Sequence, residues 1–369
     1  MKHSSEYELF EQYNLSGHLL KNRIVMAPMT RCRAIGNIPN ELMATYYGQR
    51  SGAGLIITEG TAPSPNALGY ARIPGMYSDE QVEGWKKVVD EVHRKNGKIF
   101  CQLMHTGRVS HPANMPPNSQ ILAPSAIKLE DTKMYVDNQG ELKMPVAKAM
   151  DKNEIEKTID EYRHSAANAI RAGFDGVEIH GANGYLIQQF LNTASNHRQD
   201  EYGGSIANRC RFGLKVVEAI SSEIGPERTG IRLSPFGVMN EMEHFDEIED
   251  QYLYFVTQLN RLDIAYVHLV DHESMGAPEV PEEIKREIRI LFKNSLILSG
   301  GYDKERAEHD LSKGHADLIA FGRPFISNPD LVTRFYENAK LAIPNTDLFY
   351  TPGEEGYTDY EKLHEKIKI

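Results

Sequence analysis

The chain contains little cysteine and no long apolar run. Only Cys32, Cys101 and Cys210 occur in 369 residues, and they are too widely separated for a disulfide framework or a zinc site. This usage predicts a reducing, cytoplasmic location, in keeping with residues 1–11, which lack the apolar core of a secretory signal. No stretch approaches the roughly 20 apolar residues of a membrane helix, so no membrane association is expected.

Two phosphate-binding signatures are also missing. Neither Gly-x-Gly-x-x-Gly nor Gly-x-x-x-x-Gly-Lys occurs, so neither a dinucleotide-binding fingerprint nor a nucleotide P-loop is predicted. Any nicotinamide cofactor would therefore have to dock transiently. The formal net charge of −11 argues against nucleic acid as a partner. The composition, with 40% hydrophobic and 25% charged residues, is that of a globular protein.

Eight short apolar runs recur along the chain, and most are preceded by a segment of helical pattern. They are nearly continuous in apolar residues, as parallel strands buried on both faces are. The runs occupy residues 24–27, 54–58, 98–103, 176–179, 229–233, 265–270, 295–299 and 317–321. Eight alternations of strand and helix favour an α/β fold of the (β/α)8 barrel type over an open doubly wound sheet. We expect a single domain over residues 1–369.

Two of the intervening segments carry clear helix signals. Asp151 and Glu154 form the pattern of a capping box ahead of apolar residues spaced by three and four. Gly173 is expected to end this helix. Residues 79–96 show a similar apolar stripe and are followed by Gly97. Both segments are predicted to be helices that cover the barrel.

Residues 104–150 interrupt this alternation. The segment is far longer than the roughly 2–6 residues usual between a strand and a helix, and it is rich in proline. Residues 135–142 are predicted to form a small hairpin around an Asn/Gly turn. Because the segment follows the third strand, it is expected to act as a lid or as a wall of the active-site pocket.

The C-terminal ends of barrel strands are where active sites form, and small or polar residues stand at most of these ends. They are Pro28, Met29, Thr30, Glu59, Gly60, Gln102, His105, His180, Arg232, Gly300, Gly301, Gly322 and Arg323. Taken singly, each could be an ordinary core or turn residue. Their shared position after successive strands indicates a site distributed around the ring.

The ends of the last two strands indicate a phosphate site. Gly300 and Gly301 expose backbone N–H groups, and Arg323 after Gly322 can grip a phosphate through two hydrogen bonds. A phosphate site in the loops after strands seven and eight is a recurrent barrel feature. The pattern predicts a phosphorylated ligand without identifying it.

A third group follows the fourth strand. His180 and Asn183 are three residues apart, so a helical turn would place both on one face. Two neutral donors can hold a carbonyl oxygen as it gains negative charge, and Tyr185 offers a weak acid nearby. The alternative is an ordinary helix start with a buried histidine. No metal site is predicted, because no carboxylate or second histidine keeps ligand spacing with His180.

Together these segments resemble the Old Yellow Enzyme family of FMN-dependent ene-reductases. The similar segments are residues 22–31 (NRIVMAPMTR), 57–61, 102–108, 180–185, 200–205, 321–330 and 356–360. They run in family order through nearly the whole chain. The resemblance implies one FMN, bound without a covalent link at the mouth of the barrel.

The resemblance also implies roles for individual residues. Pro28 and Thr30 would line the flavin, and Gln102 would read its pyrimidine edge. Arg232 would be the cation beside the region that becomes negative on reduction. The phosphate pocket would consist of Gly301, Gly322 and Arg323.

Substrate contacts follow from the same resemblance. His180 and Asn183 would hold the carbonyl oxygen, and Tyr185 would donate the proton. Tyr70 and Tyr357 resemble aromatic residues of the substrate pocket. Met104 stands where many members carry tryptophan, which implies a smaller and more flexible pocket wall.

The implied reaction has two halves. NADPH, or NADH, would deliver hydride to FMN and leave, and an enone or enal would take its place in ping-pong fashion. The implied protein is a monomer or homodimer. Two other interpretations remain at this point: a barrel lyase or isomerase with a phosphorylated substrate, and a flavin-binding protein without turnover.

Overall fold

The computed structural model describes residues 7–364, and its centre is a closed barrel of eight parallel strands. The strands, numbered here in chain order, are β1 Ile24–Met26, β2 Leu55–Ile57, β3 Ile99–Leu103, β4 Gly176–Gly181, β5 Thr229–Leu233, β6 Tyr266–Val270, β7 Ser295–Ser299 and β8 Leu318–Phe321. Each pairs with the next in parallel, and β8 pairs with β1. The predicted (β/α)8 barrel is confirmed, with strand bounds within two residues of those expected from the apolar runs.

The one strand longer than expected is β4. Parallel pairing with β5 continues through His180, opposite Arg232, to Gly181, opposite Leu233. His180 is therefore a strand residue, and its backbone is held by the sheet.

Helices cover the barrel on the outside. They are α1 Glu41–Gln49, α2 Asp79–Arg94, α3 Lys152–Arg171, α4 Leu186–Leu191, α5 Ile206–Ile224, α6 Ile248–Arg261, α7 Glu282–Leu291, α8 Lys304–Ser312, α9 Arg323–Ser327 and α10 Leu331–Tyr336. The predicted capping box at the start of α3 is present: the Asp151 side chain accepts from the Glu154 backbone N–H, and Glu154 accepts from that of Asp151.

Two hydrophobic layers hold the barrel together. The outer layer lies between the strands and the helices and contains Trp85, Val177 and Phe255. The inner layer fills the barrel with side chains such as Phe100 and Tyr266, and Leu15 and Leu20 of an N-terminal hairpin pack against it.

Residues 104–150 fold beside the barrel. The predicted hairpin is present, with strand Lys133–Val136 antiparallel to Gly140–Lys143. Asn138 and Gly140 adopt positive φ at its turn. Residues Leu129, Met134 and Met144 of this segment are buried in a cluster that also contains Tyr185.

Two buried arginines after β1 fix the C-terminal part of the chain. Arg31 donates to the carbonyl oxygens of Phe349 and Gly356, and Arg33 donates to four carbonyls between residues 348 and 355. Because a buried guanidinium needs all its donors satisfied, this segment is bound tightly against the barrel mouth. Among residues 7–364, no helix combines the length and apolar character needed to cross a membrane.

Candidate active site

A cavity of about 550 Å³ lies at the C-terminal ends of the barrel strands. Seven of the eight barrel strands, or the residue just after them, contribute to its lining, and beyond β2 the lining residue is Gly60. A volume of this size is typical of pockets for cofactors and small ligands.

The cavity brings together most of the side chains that the sequence singled out. Those that line it are Pro28, Met29, Thr30, Gly60, Gln102, Met104, His180, Asn183, Tyr185, Arg232, Gly300, Gly301, Gly322 and Arg323. They come from parts of the chain nearly 300 residues apart, and only closure of the barrel makes them neighbours.

The expectation for Tyr357 was wrong. Its side chain is fully buried, does not line the cavity, and stacks on Tyr46 with ring centroids 4.0 Å apart. The Arg33 guanidinium lies over the same ring. Tyr357 thus packs against Tyr46 and Arg33, and Tyr350 lines the cavity instead.

Three further residues lie outside the lining. Tyr70 is not a wall of the cavity, but its hydroxyl lies 2.9 Å from that of Tyr185. Glu59 is buried, where it accepts from the hydroxyl of Tyr47. His105 is also buried away from the cavity. Of residues 104–150, which were expected to form a lid or pocket wall, the cavity lining includes Met104 alone among the described residues.

His180 and Asn183 both face the cavity, but not through the helical turn that their spacing suggested. His180 is the last residue but one of β4, whereas Asn183 sits in a turn with φ of 58°. Asparagine tolerates this left-handed conformation better than most residues do. The turn is fixed by a hydrogen bond from the Asn183 backbone N–H to the Ser234 hydroxyl at 2.9 Å.

The protonation state of His180 follows from its surroundings. Burial, with Arg232 nearby, holds the pKa of the imidazole well below its ordinary value, so the ring is neutral at pH 7. The backbone N–H of Ala182 donates to Nδ1 at 3.3 Å. The single ring hydrogen is therefore on Nε2, where it can be donated to a ligand.

Tyr185 is a buried phenol beside His180. Burial raises its pKa well above the ordinary value, so it is protonated at neutral pH. Burial also raises the pKa of Tyr70, to about 12. When the Tyr185 hydroxyl accepts a hydrogen bond from Tyr70, its own hydrogen stays available for another acceptor.

A chain of buried polar groups crosses the barrel beneath the cavity. The Gln102 Nε2 donates to one Glu178 oxygen at 2.8 Å, and His268 Nδ1 donates to the other at 2.9 Å. His268 Nε2 lies 2.9 Å from the Ser299 hydroxyl. A carboxylate only accepts hydrogen bonds, so Glu178 binds the NH2 group of the Gln102 amide. The amide oxygen of Gln102 is then left to accept from a ligand.

Arg232 is a buried cation at the wall of the site. Its side chain is almost fully buried at the cavity wall, yet among the described residues nothing accepts a hydrogen bond from its guanidinium, and Nε is buried without a partner. A buried cation without an acceptor is costly. The arrangement suits a ligand that brings acceptor atoms or negative charge to this wall.

Two glycines of the predicted phosphate site have backbone conformations that favour glycine. Gly300 and Gly301 adopt φ of 124° and 62°. A Cβ on Gly300 would lie 2.0 Å from the Asp271 carbonyl oxygen, so only glycine fits there. Arg323 also lines the cavity.

These observations fit FMN. The glycine cradle with Arg323 suits its phosphate, the Gln102 amide oxygen suits an N–H at the ring edge, and the unpaired Arg232 suits the part of the ring that becomes negative on reduction. Within residues 7–364, no cluster of three or more histidine, cysteine, aspartate or glutamate residues could hold a metal ion.

Comparison with known proteins identifies the family of this chain. Residues 8–342 match the model of the NADH:flavin oxidoreductase / NADH oxidase family. The chain belongs to the Old Yellow Enzyme family. It is therefore an FMN-dependent NAD(P)H oxidoreductase of the ene-reductase kind. It is 41% identical to 12-oxophytodienoate reductase 7 of Oryza sativa subsp. japonica, over 96% of this chain and 94% of that protein.

Solved structures of this family have the same fold. Morphinone reductase in complex with tetrahydroNAD superposes with a TM-score of 0.93 at 44% identity, covering 97% of this chain and 99% of that one. The Old Yellow Enzyme homologue from Zymomonas mobilis superposes with a TM-score of 0.91 at 41% identity, over 96% and 99% of the two chains.

Sequence reasoning missed several residues of the cavity, and two of them, His272 and Tyr350, carry polar groups into it. His272 lies two residues beyond β6, and its Nε2 is 2.7 Å from the Asn183 Oδ1. The rule that sites form at strand ends, applied to β6 as well, would have found it. Tyr350 comes from the C-terminal segment held by the buried arginines, and no local pattern marks it.

The phosphate site yields a first prediction. Arg323→Ala should raise the dissociation constant of FMN about tenfold or more, because a charge-assisted contact to the phosphate is lost. FMN titrated into apoprotein, followed by quenching of flavin fluorescence, measures this constant. Arg286→Ala removes an exposed arginine paired with Glu283 and serves as the control. Equal FMN affinity in the Arg323 variant and the parent would show that the phosphate does not bind there.

Proposed function

We propose that this chain reduces the carbon–carbon double bond of α,β-unsaturated ketones and aldehydes, with the residues of the cavity in the roles argued below. The observation that carries the proposal is the convergence of two neutral donors and one protonated phenol on a single cavity. These are His180, Asn183 and Tyr185. The same cavity holds the glycine cradle and the unpaired Arg232.

Bound FMN supplies hydride transfer from a nicotinamide to the substrate. We expect it to be held by five residues, with its ring at Gln102 and Arg232 and its phosphate at Gly301, Gly322 and Arg323. Pro28 and Thr30, which follow β1, complete the wall of the cavity on that side.

His180 and Asn183 are proposed to bind the carbonyl oxygen. As hydride reaches the β carbon, negative charge moves to this oxygen, and hydrogen bonds to it become stronger. A neutral imidazole donates through Nε2 without having to lose a proton in the reaction. Donors that are fixed before the reaction need no reorganisation, which is why their burial favours the transition state.

Tyr185 is proposed to give its proton to the α carbon. The departing proton leaves a phenolate, which Tyr70 can stabilise through the hydroxyl contact at 2.9 Å. Tyr70 therefore has a proposed role as a support of the proton donor, in place of the substrate contact expected from the sequence.

We propose NADPH or NADH as the reductant, bound in the same cavity before the substrate. The morphinone reductase structure with tetrahydroNAD supports a nicotinamide ligand in this family. We also propose a cytoplasmic enzyme, supported by three buried cysteines, none of which is in a disulfide. Its proposed state is a monomer or homodimer, which light scattering of the purified protein measures.

The lyase interpretation loses its main support. A Schiff-base mechanism needs a lysine in the site, and among the described residues that line the cavity there is none. The phosphate cradle is therefore assigned to the cofactor and not to a phosphorylated substrate.

The role of Tyr185 yields a second prediction. Tyr185→Phe should slow reoxidation of the reduced holoenzyme by 2-cyclohexenone about a hundredfold, and leave its reduction by NADPH nearly unchanged, because only the alkene needs a proton from the protein. Anaerobic stopped-flow measurements follow the two halves separately.

The control for this variant is Tyr357→Phe. That hydroxyl is buried without a partner and lies outside the cavity, so its removal should leave both half-reactions unchanged. Equal slowing of both halves in Tyr185→Phe would remove Tyr185 from the role of proton donor.

Met104 yields a third prediction. Its side chain is buried against Gly60, where an added Cβ would lie 2.5 Å from its sulfur. Met104→Trp should cut activity on ring-substituted cyclic enones more than on 2-cyclohexenone, because a rigid ring restricts the poses that flexible methionine accepts. The variant should also reverse the face of reduction for some of these substrates.

Chiral chromatography of the products from a small enone panel checks this prediction. Met104→Leu conserves volume and should behave like the parent. Identical rates and product stereochemistry for Met104→Trp across the panel would contradict a role of Met104 in the substrate pocket.

A further inference from the structure

The loop between β6 and α7 is anchored at its start. The Asp271 carboxylate accepts hydrogen bonds from the backbone N–H groups of Glu273 and Val280, at 2.9 and 3.2 Å. Lys285 forms an ion pair with the same carboxylate at 3.2 Å, and both side chains are about nine-tenths buried. The next residue, His272, therefore has a fixed place at the cavity wall.

His272 contacts the side chain of Asn183. Its Nε2 lies 2.7 Å from the Asn183 Oδ1, and the histidine is 9% exposed. An amide oxygen only accepts hydrogen bonds, so the hydrogen of the imidazole is on Nε2. His272 is thus the donor and Asn183 the acceptor.

This contact is the one that can select between the two orientations of the Asn183 amide. Rotation of the amide by half a turn would exchange its oxygen and its NH2 group, which have nearly the same shape. The backbone is fixed by Ser234 and by Asn240, whose Nδ2 donates to the Asn183 carbonyl at 2.7 Å. Among the described residues, only His272 forms a hydrogen bond with the side chain.

The surroundings keep His272 neutral. Burial lowers its pKa to about 4, with Arg232 and Arg323 acting in the same direction and Asp271 against it. At neutral pH the ring therefore carries a single hydrogen, and the contact with Asn183 Oδ1 assigns it to Nε2.

We propose that His272 is a positioning residue that holds the Asn183 amide with its NH2 group towards the cavity, ready to donate to a substrate carbonyl oxygen. The inference rests on the proposed role of Asn183 as a carbonyl-binding residue. A flipped amide would present its oxygen to the carbonyl oxygen, and two acceptors in contact repel each other. By orienting this amide, His272 would make the site bind ligands that accept a hydrogen bond, such as ketones.

The test compares two substitutions of nearly equal shape. His272→Gln retains an N–H donor, whereas His272→Glu offers only acceptors and should turn the Asn183 amide around. The probe is cyclohexanone, a ketone without a double bond to reduce, titrated into FMN-loaded protein and followed by the change in flavin absorbance. Flavin content and spectrum are recorded for each variant.

We expect the dissociation constant of cyclohexanone to stay within about twofold of the parent in His272→Gln and to rise about tenfold in His272→Glu. His272→Leu, which neither donates nor accepts, should give an intermediate rise. If His272→Glu does not bind FMN, His272→Leu still tests the inference.

Asn183→Ala shows whether His272 acts through Asn183. This variant should itself bind cyclohexanone about tenfold more weakly than the parent. In its background, His272→Glu should cause no further loss, whereas a direct effect of the added charge would persist.

Two results would overturn the inference. If Asn183→Ala weakens ketone binding but His272→Glu and His272→Leu do not, the role of His272 fails while the proposed function stands. If Asn183→Ala leaves ketone binding unchanged, the carbonyl-binding role of Asn183 fails and the inference fails with it.

Discussion

Burial at the mouth of the closed barrel fixes the protonation states on which the proposed chemistry depends. It keeps the His180 imidazole neutral and Tyr185 protonated. Because the Ala182 N–H occupies Nδ1, the hydrogen of His180 is available on Nε2. In water the same imidazole would be charged for part of the time, and the phenol would be hydrated. The donors are thus set before a ligand arrives.

A second set of residues holds these groups in place. Glu178 fixes the Gln102 amide, and Tyr70 contacts the hydroxyl of Tyr185. The buried arginines after β1 bind the segment that carries Tyr350. The residues facing the cavity therefore have restricted rotamers, and changes in the supporting residues should alter reactivity without removing a reacting group.

The fold and most of the site were predictable because strand ends in a barrel converge whatever the intervening sequence. Apolar runs gave the strands, and residues at or just beyond the C-terminal ends of these runs gave Gln102, His180, Arg232 and Arg323. What failed depended on packing between distant segments. Tyr357 lies against Tyr46 across some 300 residues, and no local pattern indicates that contact. The turn that carries Asn183 was predicted as helical because spacing alone does not reveal a positive φ.

The most direct test of the account is a single turnover of the reduced holoenzyme with 2-cyclohexenone, without oxygen and in deuterated water. The account predicts reoxidation of the flavin together with one cyclohexanone per flavin, carrying solvent deuterium at the α carbon, because His180 and Asn183 bind the carbonyl while the double bond is reduced. Formation of the allylic alcohol, or a flavin that is reoxidised only when oxygen is admitted, would contradict it.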